Sequence, residues 1–299
     1  MAILIDEKTR LIVQGITGRE GRLRARFMQE YGTVVVAGVT PGKGGQTVGG
    51  LPVYDTVQEA CEAHPGINAS VILVPARLAR DAAREAIDAG IRVITLHPER
   101  LPQQDMMEIL AYARGKEVQI IGPNTPGLIS PGKAVMGMIG GRVDLARTVF
   151  RSGPVGVISR SGGSTATVAY YLSRAGLGQS TAVGMGGDAL VGMKWVDLLT
   201  LFEADPETRA VAAFGEIGTD MEEEAARFIK EGGFTKPLVA YVSGKYAMPG
   251  MRFGHAGAII SRGAGTCAGK IEALKDAGVR VVEHLADIGE VMAGVLAGR

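Results

Sequence analysis

The 299-residue chain has almost no excess charge: 32 Lys and Arg stand against 31 Asp and Glu, for a formal net charge of +1. A nucleic-acid surface needs a basic patch or stripe, so no nucleic-acid partner is expected. Cysteine is scarce. Cys61 and Cys267 lie far apart without CxxC or Cys/His spacing, which argues against a disulfide framework or a zinc site and leaves two thiols in a reducing compartment. No metal ligand set is expected. Long apolar runs are missing too: none approaches the about 18 residues of a membrane span. The N-terminal MAILIDEKTR carries acids and lacks the apolar core of a secretory signal. A soluble, cytoplasmic protein with no membrane partner is expected, with a removed organelle-targeting peptide left open. Finally, no GxxxxGK[ST] run occurs, so the chain shows no P-loop of its own. Any nucleoside triphosphate would be held by another chain.

What is abundant is glycine, at 44 residues, roughly twice the usual share. The glycines follow short apolar runs, where a backbone turns tightly or approaches a ligand. Five such runs in the first half read as buried strands: 11–15, 34–39, 70–75, 91–96 and 118–122. Between them lie amphipathic stretches such as RLARDAAREAIDAG, closed by Gly90 in the manner of a helix C-cap. Alternating strand and helix predicts a parallel sheet covered on both faces. Residues 123–153 break the alternation with Pro and Gly and read as an inter-domain connection. A second series starts at Pro154, with strands PVGVIS, STAVGM, AVAAFGE, PLVAYVS and VRVVE. The expectation is an α/β chain of two doubly wound domains, residues 1–130 and 154–299, joined by 131–153.

The first strand runs into Gly15-Ile16-Thr17-Gly18-Arg19-Glu20-Gly21 and then a helix. Free N–H groups at such a turn suit a phosphate, although the spacing is GxxGxxG and a purely structural turn would look alike. An NAD site places an acid near the end of the second strand. Here the strand continues into Thr40-Pro41-Gly42-Lys43-Gly44-Gly45, with a lysine in an open loop. That suits a ligand with a phosphate on its ribose, such as coenzyme A or NADP; a solvated lysine is the plain alternative. His97, Pro98 and Glu99 follow the fourth strand and are expected to face the same crevice.

In the second half, His255 sits in FGHAGA, flanked by small residues that leave an imidazole open to a reactant. His64, His97 and His284 have no such surroundings. Two other strand ends share its sheet edge. One is Ser159-Arg160-Ser161-Gly162-Gly163-Ser164, a glycine-rich helix start and so an anion site. The other carries Glu216 in GEIG. A carboxylate there can accept from one ring nitrogen of His255 and leave the other as nucleophile. The residues alone allow two readings: a phosphorylated histidine with its carboxylate partner, or an anion-binding loop with a structural Glu.

Taken together, ILIDEKT, VQGITGREG, YGTVVVAGVTPGKGG, LPVYDTV, IGPNTPG, VISRSG, GMGGD, GEIG, EEEAA and GHAGAII resemble the alpha subunit of succinate–CoA ligase over nearly the whole chain. The resemblance implies a Rossmann-like CoA-binding domain followed by a flavodoxin-like ligase domain. It implies coenzyme A, and ATP or GTP with Mg²⁺ bound mainly by an ATP-grasp beta subunit in an αβ or α2β2 hetero-oligomer. It also implies a histidine that is phosphorylated, passes the phosphoryl group to a di- or tricarboxylate, and so prepares an acyl phosphate for CoA. Matched residue by residue, Thr17, Gly18, Arg19, Glu20, Lys43, His97, Pro98 and Glu99 fall on CoA-contacting positions. His255 falls on the phosphorylated histidine and Glu216 on its partner, with Ser161, Gly162 and Gly163 on the phosphate loop.

Three stretches depart from the family. The usual SRSGTLTYE becomes SRSGGSTAT, with Ala166 in place of the tyrosine and Ser164 beside it at the substrate position. This form is similar to ATP-citrate lyase and citrate–CoA ligases. TEGIP becomes PERLP at 98–102, and GxTAPKG becomes GKYAMPG at 244–250. Loss of an aromatic and gain of hydroxyls predict an acid larger or more hydroxylated than succinate, with citrate and malate as candidates. The rival classes are a non-catalytic CoA-binding protein, which would have lost His255, and an NADP oxidoreductase, which has no use for GHAGA and SRSGG.

Overall fold

The computed structural model describes residues 2–248, 250, 252–260 and 265–298. Its first sheet contains β1 (Arg10–Gln14), β2 (Val34–Val39), β3 (Thr47–Val48), β4 (Leu51–Tyr54), β5 (Ala69–Ile72), β6 (Val93–Leu96) and β7 (Gln119–Ile121). The order across the sheet is β3-β4-β2-β1-β5-β6-β7, parallel except for β3. β5 and β6 are buried at every position, as strands covered on both faces must be. Helices α1 (Arg19–Tyr31), α2 (Val57–Ala63), α3 (Ala76–Asp88) and α4 (Gln103–Ala113) supply the cover. In α3 the buried Ala79, Ala83, Ala86 and Ile87 form one stripe. Gly90 ends it at φ 79°, while Ile91 N–H closes back on Ala86 C=O.

The second sheet contains β8 (Gly127–Ser130), β9 (Ala134–Gly137), β10 (Ser152–Ser159), β11 (Gln179–Gly184), β12 (Ala210–Glu216), β13 (Leu238–Ser243) and β14 (Arg280–Val281). Their order is β14-β13-β12-β10-β11-β8-β9. The five strands from β10 onward are parallel in the flavodoxin-like 2-1-3-4-5 arrangement. Helices α5 (Val143–Val149), α6 (Gly162–Arg174), α7 (Trp195–Ala204), α8 (Met221–Lys230), α9 (Cys267–Asp276) and α10 (Ile288–Ala297) complete the chain. No helix among the described residues is long and apolar enough to cross a membrane.

The boundary expected at residue 130, with a connection to 153, needs correction. β8 pairs antiparallel with β11, and β9 with β8, so this hairpin belongs to the second sheet. Its eight residues are all buried, so they show no alternation, and the surrounding Pro and Gly hid them as strands. The hairpin also joins the domains. Thr33 Oγ1, just after α1, donates to Val135 C=O at 3.0 Å and accepts from Val135 N–H at 2.8 Å. Gly122 N–H donates to Met185 C=O, and Met193 N–H to Ile120 C=O. Phe27 and Met28 of α1 share one apolar cluster with Leu128, Val135 and Phe150.

Val135 lies on the free edge of the sheet, and one buried hydroxyl satisfies both its backbone groups. Thr33→Val keeps the shape and strands both. The expected loss is about 1–3 kcal/mol, read as a lower urea midpoint at unchanged slope. An unchanged midpoint would show that water replaces the hydroxyl.

Candidate active site

In the second sheet the strand order reverses between β10 and β12, where an open α/β sheet binds its ligand. At the carboxyl end of β12 stands Glu216, 5% exposed. At the end of β10, paired in register with β12 through Ser159 and Phe214, the chain turns through Arg160 and Ser161 into α6. The loop after β13 returns His255 to this edge. Its Nδ1 lies 2.8 Å from Glu216 Oε2 and 3.0 Å from Oε1. A carboxylate only accepts, so Nδ1 carries the proton. Nε2 has no hydrogen-bond partner among the described residues. The ring rests on Gly187, where a Cβ would fall 2.4 Å from Cδ2.

Sequence reasoning missed several supporting groups. Arg160 is fully buried, with its guanidinium 3.5 Å from Glu216 Oε1 and donating to Asp188 C=O and Thr219 Oγ1. Asn124 Nδ2 donates to the buried Asp188 carboxylate at 3.2 Å. Burial pushes the Asp188 carboxyl up. All three lie in quoted motifs, but their partners are distant in sequence and invisible to spacing. The hydrogen bond to Glu216 raises the His255 pKa, against the opposing effect of burial.

Ser161 caps α6, its Oγ accepting from Ser164 N–H at 3.5 Å. Gly162 packs on the Pro126 ring, where a Cβ would sit 2.9 Å away, whereas nothing lies within 4 Å of a Cβ at Gly163. The helix N-terminus is therefore open at Gly163. No hydrogen bond joins His255 to Ser161, Gly162 or Gly163 among the described residues. Ala166, one turn on, is half-buried against the core. The hydroxyls of Thr165 and Thr167 are bound to the Ser161 and Gly163 carbonyls of their own helix, which weakens the expected gain of free hydroxyls. Pro249, in the altered stretch 244–250, lies outside the described residues.

In the first domain, Gly18 caps α1 without a side-chain bond and leaves the first amides of Arg19 and Glu20 unclaimed by a cap. Thr17 Oγ1 meets Thr40 Oγ1 at 3.3 Å, and Glu20 pairs with Arg24. Lys43 is exposed. Its loop is tied by Asp55, whose Oδ1 accepts from the Lys43 and Gly44 amides at 2.9 and 2.8 Å. These bonds hold the Asp55 carboxyl low. His97 departs from expectation: its ring does not line the crevice. It is buried, with Nδ1 2.9 Å from an Arg24 nitrogen and Nε2 3.0 Å from Thr95 Oγ1. Burial and then Arg24 push its pKa down to about 3. Pro98 offers its carbonyl to Asn124 N–H, and Glu99 is exposed. A cavity of about 190 Å³ spans the domains from Arg100 to Asp188 and Ala256, the neighbour of His255.

Residues 6–99 match the family model of the CoA binding domain, and residues 158–280 that of CoA-ligase. A CoA-binding domain followed by a CoA-ligase domain defines the class, acid–thiol ligases. The chain is 51% identical to succinate–CoA ligase [ADP-forming] subunit alpha 2 of Archaeoglobus fulgidus, over 99% of this chain and 100% of that one. It is 49% identical to the corresponding alpha subunit of Aquifex aeolicus, over 99% and 95%. This chain belongs to the succinate–CoA ligase alpha-subunit family. The structure of ATP citrate lyase from Methanosaeta concilii, in complex with (3S)-citryl-CoA, superposes with a TM-score of 0.91 at 28% identity. It covers 99% of this chain, which spans about half the length of that one (51%).

The two site histidines are expected to titrate in opposite directions. In a ring-NMR titration, His97 stays neutral down to about pH 4, while His255 binds its proton above the ordinary 6.5. Because the folded value is raised, the pair stabilises the fold at pH below the ordinary value, and that contribution fades as pH rises through the raised one. Glu216→Gln should bring the His255 midpoint down; an unmoved midpoint would show that the carboxylate does not set it.

Proposed function

We propose that this chain is the alpha subunit of a nucleotide-dependent acid–CoA ligase in which His255 carries the phosphoryl group. The observation that carries the reading is the Nδ1–Glu216 hydrogen bond at 2.8 Å, with Nε2 unpartnered among the described residues. The carboxylate fixes the tautomer in which Nε2 keeps its lone pair, and it stabilises the charge that develops on the ring. Nε2 bonds to the terminal phosphorus of ATP or GTP, and the bond from that phosphorus to the bridging oxygen breaks, releasing the diphosphate. The nucleotide and its Mg²⁺ are supplied by an ATP-grasp beta subunit, in line with the absence of a P-loop here and with relatives named as alpha subunits.

Ser161, Gly162 and Gly163 would hold the transferred phosphate by amides at the open start of α6. A substrate carboxylate then takes the phosphoryl group from Nε2 and becomes an acyl phosphate. The CoA sulfur attacks the acyl carbon, phosphate leaves, and the thiol proton is lost. In the first domain, Thr17, Gly18, Arg19 and Glu20 would meet the CoA phosphates by backbone, Lys43 the ribose phosphate, and Pro98 and Glu99 the chain towards His255. The buried His97 contributes by fixing that strand end.

Two readings of the acid have support. Succinate follows from the names of full-length relatives. Citrate or malate follows from Ala166, which leaves the first turns of α6 without an aromatic at the substrate position, and from the ATP citrate lyase likeness. A hetero-oligomer in the cytoplasm is the setting that fits both.

The purified subunit pair, given labelled ATP and Mg²⁺, should form an acid-labile, base-stable phosphoenzyme that is absent in His255→Ala. Label persisting in that variant would sink the assignment. Turnover across succinate, malate and citrate separates the acids: succinate equal to or better than the others removes the larger-acid reading.

A further inference from the structure

Behind the Glu216–His255 pair lies a cluster of buried charges that the proposed chemistry leaves unused. Lys270, on α9, is fully buried. Its ammonium donates to Glu222 Oε2 at 2.6 Å, Glu223 Oε2 at 2.7 Å and Thr219 C=O at 3.0 Å. All three of its protons are thus engaged. Glu222, also fully buried, uses its other oxygen to accept the backbone N–H of Glu216 at 3.0 Å. The cluster therefore grips the backbone on both sides of the turn that follows the carboxylate.

That turn is strained. Thr219 is β-branched yet sits at φ 50°, a region such residues avoid and hold only where their surroundings impose it. Two fully buried cations impose it here. Arg160 donates to the Thr219 hydroxyl at 3.2 Å, and Lys270 to its carbonyl. The preceding Gly218 lies against the histidine loop so closely that a Cβ would be 2.1 Å from Gly257 C=O. Arg160 in turn reaches the Glu216 carboxylate. The bonds from Lys270 converge on one side of the active-site turn and do not spread across the core. Buried ion clusters are poor stabilisers beside apolar packing of the same volume, so a positional role accounts for this one better than stability does.

We infer that Lys270 is a positioning residue: through Thr219 and Glu222 it clamps the Glu216–Thr219 turn and sets where the Glu216 carboxylate meets His255. The clamp's role in turnover rests on the phosphohistidine reading, but its effect on His255 does not. Lys270→Met alone would leave Glu222 buried and charged, so the informative variant is Lys270→Met/Glu222→Gln. The glutamine keeps an acceptor for Glu216 N–H and removes the stranded charge. Arg160 and Asp188, the other charged groups acting on His255, are untouched.

Three quantities are read on the folded double variant: the His255 midpoint by ring NMR, the rate of phosphoenzyme formation with the partner subunit and ATP–Mg²⁺, and the KM for CoA. The expected result is a midpoint lowered towards that of Glu216→Gln. Phosphorylation should slow by about 10- to 100-fold, the scale of a misplaced reacting group, at unchanged KM. Adding Thr219→Gly, which lets the turn form without strain, should restore part of both losses. A midpoint and rate equal to the parent's would overturn the inference, and so would a slower rate at an unmoved midpoint. A parent enzyme that forms no phosphohistidine would instead defeat the functional reading, with the midpoint comparison still deciding the clamp.

Discussion

A carboxylate out of water must be paired, and Glu216 is the point on which the second domain turns. Its oxygens face an imidazole N–H and a buried guanidinium, while its backbone is bound from below by Glu222. An isolated carboxylate at that depth would take up a proton, and His255 would lose both its orientation and its raised pKa. The strand order places the group: Glu216 ends β12 at the β10–β12 reversal, where an open α/β sheet leaves a crevice above its strand ends. The same reversal aims the start of α6 at that crevice, so the carboxylate and the open amides are products of one topology.

The first domain solves a different problem with the same device. At its own reversal, between β1 and β5, the start of α1 presents backbone amides that no side chain caps, and side chains secure the loops. Asp55 ties the Lys43 loop, and Arg24 with Thr95 locks His97. His97, kept neutral by burial, adds no charge at its strand end, while Lys43 stands exposed on its loop.

Much of this was legible in the sequence because its signals are local. Short β-branched runs closed by Gly mark strands covered on both faces, and β1, β2, β5, β6 and β7 lie where those runs lie. Small residues around His255 and a glutamate at a strand end pointed to one edge of the sheet, and there the two side chains share a hydrogen bond. What was hidden depends on contacts through space. The β8–β9 hairpin is apolar on both faces and carries glycine at φ 104° and 102° at its ends, so it reads as loop. His97 follows a strand and should have pointed to the crevice, but an arginine 73 residues earlier draws its ring inward. Arg160, Asp188 and Lys270 carry no local signal of their roles, because their partners lie 28 to 64 residues away.

The hairpin gives the two domains a shared inheritance. The first sheet supplies α1, the second supplies β8 and β9, and neither face is finished without the other. A cut at the apparent boundary would expose an apolar helix face and an unpaired strand edge at once. The two domains are therefore one packing unit. The likeness at 0.91 to about half of a lyase chain covers 99% of the present chain, so it takes in both domains and the hairpin between them.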